Sequence, residues 1–120
     1  MYCPNCGKFM EAKFVKPNPE HMKLTKWKWL VSHPENLKMG QNVDIGAFTY
    51  INAEFGVTIG DNVQIGSHCS IYSSNSENNE HGGVIIGNNS LIGCHTSIFP
   101  NSLIDINSKI RAYSIIRGEI

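Results

Sequence analysis

"VIIGNNSLIGCHTSIFPNSLIDINSKIRAYSII", residues 84 to 116, places isoleucine at 86, 92, 98, 104, 110 and 116, one at every sixth position. A helix buries residues three and four apart, and a strand in a two-layer sheet buries every second one. A period of six fits neither. It fits short strands joined by tight corners that wind into a coil, with two inward positions in each repeat spaced two apart. The second inward position holds Val84, Ser90, Thr96, Ser102, Ser108 and Ser114, each small enough to sit beside an isoleucine in a narrow interior. Between the strands stand Gly87-Asn88-Asn89, Gly93-Cys94-His95 and Pro100-Asn101, where glycine and asparagine tolerate backbone angles that other residues resist. The stretch predicts an all-β hexapeptide solenoid whose stacked coils bury the isoleucines as ladders.

The same register runs earlier in the chain, through Ile45 and Ile51 and then Ile59, Ile65 and Ile71, with Val57, Val63 and Cys69 two residues before the last three. Two breaks interrupt it. Ile51 and Ile59 are separated by two residues more than the repeat needs, and Ile71 and Ile86 by nine more. The second excess, "YSSNSENNEHGG", is polar and glycine-ended, and predicts an inserted loop over residues 72 to 85. Loops on a rigid scaffold are where function concentrates. With that loop treated as a bulge and three hexads per coil, the hexads starting at 65, 92 and 110 stack on one face. His68, His95 and Tyr113 then line one corner, with Phe48 on the coil before. Such a corner either forms a contact between subunits or touches ligand.

Composition bounds the rest. A chain of 120 residues holds one domain, read as a coil over residues 41 to 120 with an appendage over residues 1 to 40. No stretch has the length and apolarity of a membrane span or a signal peptide, and four irregularly placed cysteines suit a reducing cytoplasm. Net charge is zero but uneven: residues 1 to 40 carry seven lysines against three glutamates, and residues 41 to 120 carry three basic residues against seven acids. Nothing in that balance calls for nucleic acid, and the basic half is either a solvated surface or an attraction for a phosphate-bearing ligand.

In the appendage, Cys3-x-x-Cys6 followed by Gly7 and Lys8 has the form of one zinc knuckle. A closed zinc site needs four ligands and there is no second Cys-x-x-Cys. Cys69 and Cys94 belong to the solenoid register, which leaves His21 or His33 to complete a structural zinc site. "KLTKWKWLVSHPENL" predicts a short helix stopped before Pro34, with Trp27, Trp29 and Leu30 covering the open end of the coil. An uncapped solenoid would expose strand edges and apolar interior there.

"VTIGDNVQIGSHCSI", "VIIGNNSLIGCHTSIFPNSLI" and the closing "IRAYSIIRGEI" resemble the hexapeptide-repeat acyltransferases, whose fold is a left-handed parallel β-helix. The left hand is implied by this resemblance alone, since parallel crossovers are otherwise right-handed. The resemblance covers residues 41 to 120 and is nearest to the branch that transfers acetyl groups to sugars, including nucleotide-linked amino sugars of surface polysaccharide pathways. It implies a homotrimer, with acetyl-CoA lying in the groove between subunits and Gly93, Ala112 and Tyr113 in the repeats that would face it. It also implies a histidine general base about five residues past the last apolar position before the long loop. Counting from Ile71 reaches Ser76, so the chain departs from the pattern there. His81, in the same loop near Glu77 and Glu80 and followed by Gly82-Gly83, is the replacement candidate for the base, against the alternative of a solvated loop histidine. Asn52 stands where the family often places the residue that orients the acceptor sugar. Glu54 and Ser76 are further candidates to bind substrate, and His68 and His95 join them if their corner touches ligand.

Two other functions compete. The γ-carbonic anhydrases share the coil and bind zinc through three histidines at the subunit boundary, a role open to His68, His81 and His95, although the expected pair of histidines five residues apart is absent. A non-catalytic coil protein is the third reading, because the family's proline-containing segment and CoA-covering tail do not follow "RGEI".

Overall fold

The isoleucine period is realised as a three-sided coil of about four turns. The computed structural model describes residues 14 to 76 and 79 to 118. The first coil contains β1 (Leu30–Ser32), β2 (Leu37–Met39) and β3 (Asp44–Ile45); the second, β4 (Tyr50–Asn52), β5 (Val57–Ile59) and β6 (Gln64–Ile65). The third starts with β7 (Ser70–Tyr72), is interrupted by the hairpin β8 (Ser74–Asn75) and β9 (Glu80–His81), and continues with β10 (Val84–Ile86) and β11 (Leu91–Ile92). β12 (Ser97–Ile98), β13 (Leu103–Ile104) and β14 (Lys109–Ile110) make the fourth, and β15 (Ile115–Ile116) begins another. The three faces are parallel sheets in the orders β1-β4-β7-β12-β15, β2-β5-β10-β13 and β3-β6-β11-β14. This is the predicted solenoid, consistent with a left-handed parallel β-helix.

Each face pairs its apolar residues in register. Val31, Ile51, Ile71, Ile98 and Ile116 form one ladder; Met39, Ile59, Ile86 and Ile104 the second; Ile45, Ile65, Ile92 and Ile110 the third. The small inward residues do more than leave room. Thr49 Oγ1 donates to the Gly66 carbonyl (2.9 Å), Ser90 Oγ to that of Asp105 (3.0 Å) and Thr96 Oγ1 to that of Arg111 (3.2 Å). These buried hydroxyls reach up one coil and satisfy corner carbonyls, which would otherwise be costly to bury.

The corners divide their duties differently from the expectation. The left-handed backbone angle falls on Asn62, Asn89, Asn101 and Asn107, and also on Phe48, His68, His95 and Tyr113. The neighbouring glycines serve close stacking: a Cβ on Gly66 would lie 2.5 Å from the Cys94 nitrogen, and one on Gly93 would lie 2.3 Å from that of Ala112. In the last described coil no further corner stacks above, and the equivalent positions carry Asp105 and Arg111.

The short helix expected before Pro34 is not formed. Leu30–Ser32 is strand β1, paired parallel with β4, and the helical turn of this segment is a 3-10 turn at Pro34–Asn36. Pairing decides against local propensity: Val31 completes the first ladder and the Leu30 N–H donates to the Thr49 carbonyl at 3.0 Å. The stack of strands therefore reaches back to Leu30, inside the segment read as an appendage. Trp29, only 2% exposed, packs with Met39, Val43 and Ile45 at the start of the coil, while Trp27 is 40% exposed. Among the described residues no helix is long and apolar enough to cross a membrane.

Candidate functional site

Every departure from the six-residue period emerges at one edge of the prism. The 3-10 turn Pro34–Asn36 leaves the first coil between β1 and β2, Glu54-Phe55-Gly56 leaves the second between β4 and β5, and the β8–β9 hairpin leaves the third between β7 and β10. The fourth coil turns the same edge tightly through Pro100 and Asn101. Within the predicted loop two short strands pair antiparallel, with Ser74 opposite His81 and Asn75 opposite Glu80.

The hairpin is strapped to three coils. His81 stacks on Phe55 of the second coil with ring centroids 4.7 Å apart, and its carbonyl accepts from Asn101 Nδ2 of the fourth at 3.3 Å. Glu80 pairs with Arg117 (Nη1 to Oε2 3.2 Å), whose guanidinium lies 4.1 Å from the Phe99 ring centroid. Gly82 closes the return: it sits at φ +155°, and a Cβ there would fall 1.9 Å from Asn101 Oδ1. The His81 side chain remains exposed on this edge. Glu77 lies outside the described residues.

Asn52 and Glu54 come to the same edge, but Asn52 is partly committed to building it. Its Oδ1 accepts from Ser73 Oγ and from the Glu54 N–H, both at 3.2 Å, and Ser73 Oγ in turn accepts the Phe55 N–H at 3.0 Å. Any ligand contact by Asn52 falls to its amide nitrogen. Glu54 and Ser76 are exposed. Phe55, Ser73 and Arg117 were not singled out from the sequence. A phenylalanine in the two-residue excess after Ile51 was the available signal for the first; the others act through contacts distant in the chain.

The second edge, joining the β14 face to the β15 face, carries the predicted ring column. His68 and His95 stack with centroids 4.8 Å apart and planes within 2°, His95 and Tyr113 at 4.9 Å and 5°, and Phe48 lies 5.3 Å from His68. The column ends are open, Phe48 being 61% and Tyr113 74% exposed. Gly93 lies directly under Ala112, so its missing side chain is accounted for by coil stacking. Cys94 is half-buried beside this column and Cys69 is buried. Burial pushes the Cys69 thiol above its ordinary value, and Cys69 Sγ donates to the Gly93 carbonyl at 3.2 Å. Iodoacetamide is therefore expected to label Cys94 in the native protein and Cys69 only after unfolding, as peptide mapping would show. Equal labelling of both in native buffer would contradict the buried placement.

The third edge is a polar ladder in which Asn42 Nδ2 donates to Asn62 Oδ1 (3.3 Å) and Asn62 Nδ2 to Asn89 Oδ1 (3.2 Å).

The candidate residues are thus split between two edges. His81, Asn52, Glu54 and Ser76 occupy the decorated edge; His68, His95, Gly93, Ala112 and Tyr113 occupy the ring edge. Five residues of extended chain from His68 to Ser73, at about 3.3 Å each, put the edges roughly 16 Å apart across one face. Within one chain His81 does not join His68 and His95, and among the described residues no three metal-ligating side chains converge. Cys3 and Cys6 lie outside the described residues. Compared with known proteins, the chain matches no protein-family model and no curated protein sequence.

Proposed function

We propose that the protein is an acyl-CoA-dependent transferase, acting with acetyl-CoA on a sugar or nucleotide-linked amino sugar of a surface polysaccharide pathway, and that it works as a homotrimer. The observation that carries this reading is the β8–β9 strand pair, which holds the exposed imidazole of His81 against Phe55. The resemblance of the repeats to the hexapeptide acyltransferases supports the reaction class. The split of candidates between two edges supports a site shared between chains: in a three-fold packing of prisms, the hairpin edge of one copy can face the ring edge of the next.

The chemistry asks little of the protein. The acceptor amine or hydroxyl attacks the thioester carbonyl, His81 takes the acceptor's proton, and a backbone N–H receives the oxyanion. The tetrahedral intermediate collapses with cleavage of the carbon–sulfur bond, and the proton passes to the departing thiolate. Asn52 Nδ2 and Glu54 orient the acceptor beside His81, while Gly93, Ala112 and Tyr113 of the neighbouring copy lie along the acyl carrier.

The test is to offer acetyl-CoA with a panel of nucleotide-linked amino sugars and read free thiol. At least one acceptor should release thiol in proportion to acetylated product, and light scattering should report a trimer at micromolar concentration. Absence of thiol release with every acceptor, together with absence of acyl-CoA binding, would overturn the enzymatic reading. A monomer would overturn the shared site.

A further inference from the structure

Resting on the transferase reading, we propose that the decorated edge carries a diphosphate-binding site, that the Arg117 guanidinium is its anion-binding group, and that its occupant is the diphosphate of a nucleotide-linked acceptor. Arg117 points outward from its face, one residue past the buried Ile116. Its guanidinium lies 4.1 Å from the Phe99 ring centroid, and a single nitrogen, Nη1, makes both contacts to Glu80, at 3.4 Å to Oε1 and 3.2 Å to Oε2. Among the described residues nothing accepts a hydrogen bond from Nε or Nη2. The side chain stays 50% exposed. A guanidinium holds five N–H donors in a planar fork that matches two oxygens of a phosphate. Here a carboxylate takes one corner of the fork, an aromatic ring supports it, and the remaining donors are uncommitted.

The register puts this cation in line with the acceptor candidates. Asn52 pairs with Tyr72 across β4 and β7, and Phe99 on β12 and Arg117 on β15 continue the same outward column beside the decorated edge. With neighbouring strands about 4.8 Å apart, Asn52 lies roughly 10 Å from the Phe99 rung, over which the guanidinium sits. A sugar ring held by the Asn52 amide, with a diphosphate on its anomeric oxygen, spans that length; a free monosaccharide stops short of it. Between the two ends the rings of Tyr72 and Phe99 stand 5.8 Å apart, both half-buried, and give the sugar an apolar floor. Coenzyme A carries a diphosphate as well. The column favours the acceptor, because Arg117 shares it with Asn52, whereas Gly93, Ala112 and Tyr113 belong to the ring edge.

A purely structural role for Arg117, tying the β8–β9 pair to β15, makes the opposite demand on Glu80. An exposed ion pair of this kind contributes little to stability, and a strap is lost equally whichever partner is removed. For a diphosphate, Glu80 is a competitor as well as an orienting group: it occupies Nη1 and places a negative charge beside the anion. Removing its charge therefore frees a donor, while removing Arg117 abolishes the site.

The experiment is calorimetric titration of the full chain, without acetyl-CoA, with the diphosphates of uridine, thymidine, cytidine and guanosine, with the corresponding nucleosides, and with coenzyme A. At least one nucleoside diphosphate should bind, and its nucleoside should bind at least about tenfold more weakly. Arg117→Gln should weaken the diphosphate by about ten- to a hundredfold, the loss of a charge-assisted contact, and Arg117→Lys by less, since it keeps the charge without the fork. Glu80→Gln should bind at least as tightly as the wild type. Equal weakening by Arg117→Gln and Glu80→Gln would reduce the pair to a strap and overturn the site, as would absence of binding by every diphosphate. Arg117-dependent binding of coenzyme A alone would assign the diphosphate to the acyl carrier and overturn the occupant. Acyl transfer is read separately by thiol release. Arg117-dependent nucleotide binding without thiol release from any acceptor would keep the site and overturn the transferase; thiol release with a KM for a nucleotide-linked acceptor unchanged in Arg117→Gln would do the reverse.

Discussion

If His81 is the general base of the proposed transferase, His81→Ala is expected to lower turnover on an accepted substrate by about a hundred- to ten-thousand-fold, the usual range for removing such a group, while the assembly state and melting change little. Imidazole is the side chain whose ordinary titration range suits proton uptake near neutrality. His81 is the histidine presented by the hairpin, and its ring is exposed over Phe55. The scaffold does not depend on that ring. The link to Asn101 uses the His81 backbone carbonyl, and the link to the carboxyl-terminal strand uses Glu80 and Arg117, so both survive the substitution. What is lost locally is one ring stack of about 0.5 to 1.5 kcal/mol at most, reduced by the exposure of both partners. A reduced kcat should therefore come with nearly unchanged urea unfolding. Phe55→Leu separates position from chemistry: it should lower kcat less than His81→Ala and keep the shape of the pH profile, because the proposed base remains. If His81→Ala keeps full activity while His68→Ala or His95→Ala abolishes it in an intact trimer, the base belongs to the ring edge.

The repeat made much of this architecture legible before any coordinates. A six-residue period with two inward positions has few solutions, and counting three hexads per coil places His68, His95 and Tyr113 in one column, as found at 4.8 and 4.9 Å. The break between Ile71 and Ile86 likewise marks where the hairpin leaves. Strand β1 was hidden because three residues carry no measurable period and its ladder position is Val31 instead of isoleucine. Its conformation is set by the edge of β4, which the local sequence does not contain. The pairings that build the decorated edge were hidden for a related reason. Glu80 and Arg117 are 37 positions apart, and Asn52 and Ser73 are 21 apart, so each pair is joined only once the coils stack. The glycine positions were seen but assigned the wrong cause: their role is close approach between coils, and the left-handed angles fall on the asparagine, histidine and aromatic residues two places later.

Ile98→Ala is expected to destabilise the fold by about 2 to 5 kcal/mol, the cost of removing a buried isoleucine side chain beyond Cβ and leaving a cavity. Ile98 is 0% exposed, lies on an interior strand of its face, and pairs with Ile71 below and Ile116 above. The narrow prism gives the site little freedom to collapse, because the flanking coils are held by their own ladders and by the hydroxyl bonds that join them. In a solenoid each coil is stabilised chiefly by its neighbours, so a cavity in the fourth coil weakens the coupling of the carboxyl-terminal coils to the rest. Urea unfolding should show a lower midpoint and, if the two parts separate, a shallower slope. Ile98→Val keeps most of the volume and the branched carbon, and should cost about 0.5 to 1.5 kcal/mol. Ile110→Ala is the internal comparison: Ile110 is only half-buried, with a single described strand, β11, beside its own, and its loss should be smaller than that of Ile98. Equal losses at 98 and 110 would mean that the ladder does not distribute stability by burial, and the account of how these isoleucines hold the coil together would fail.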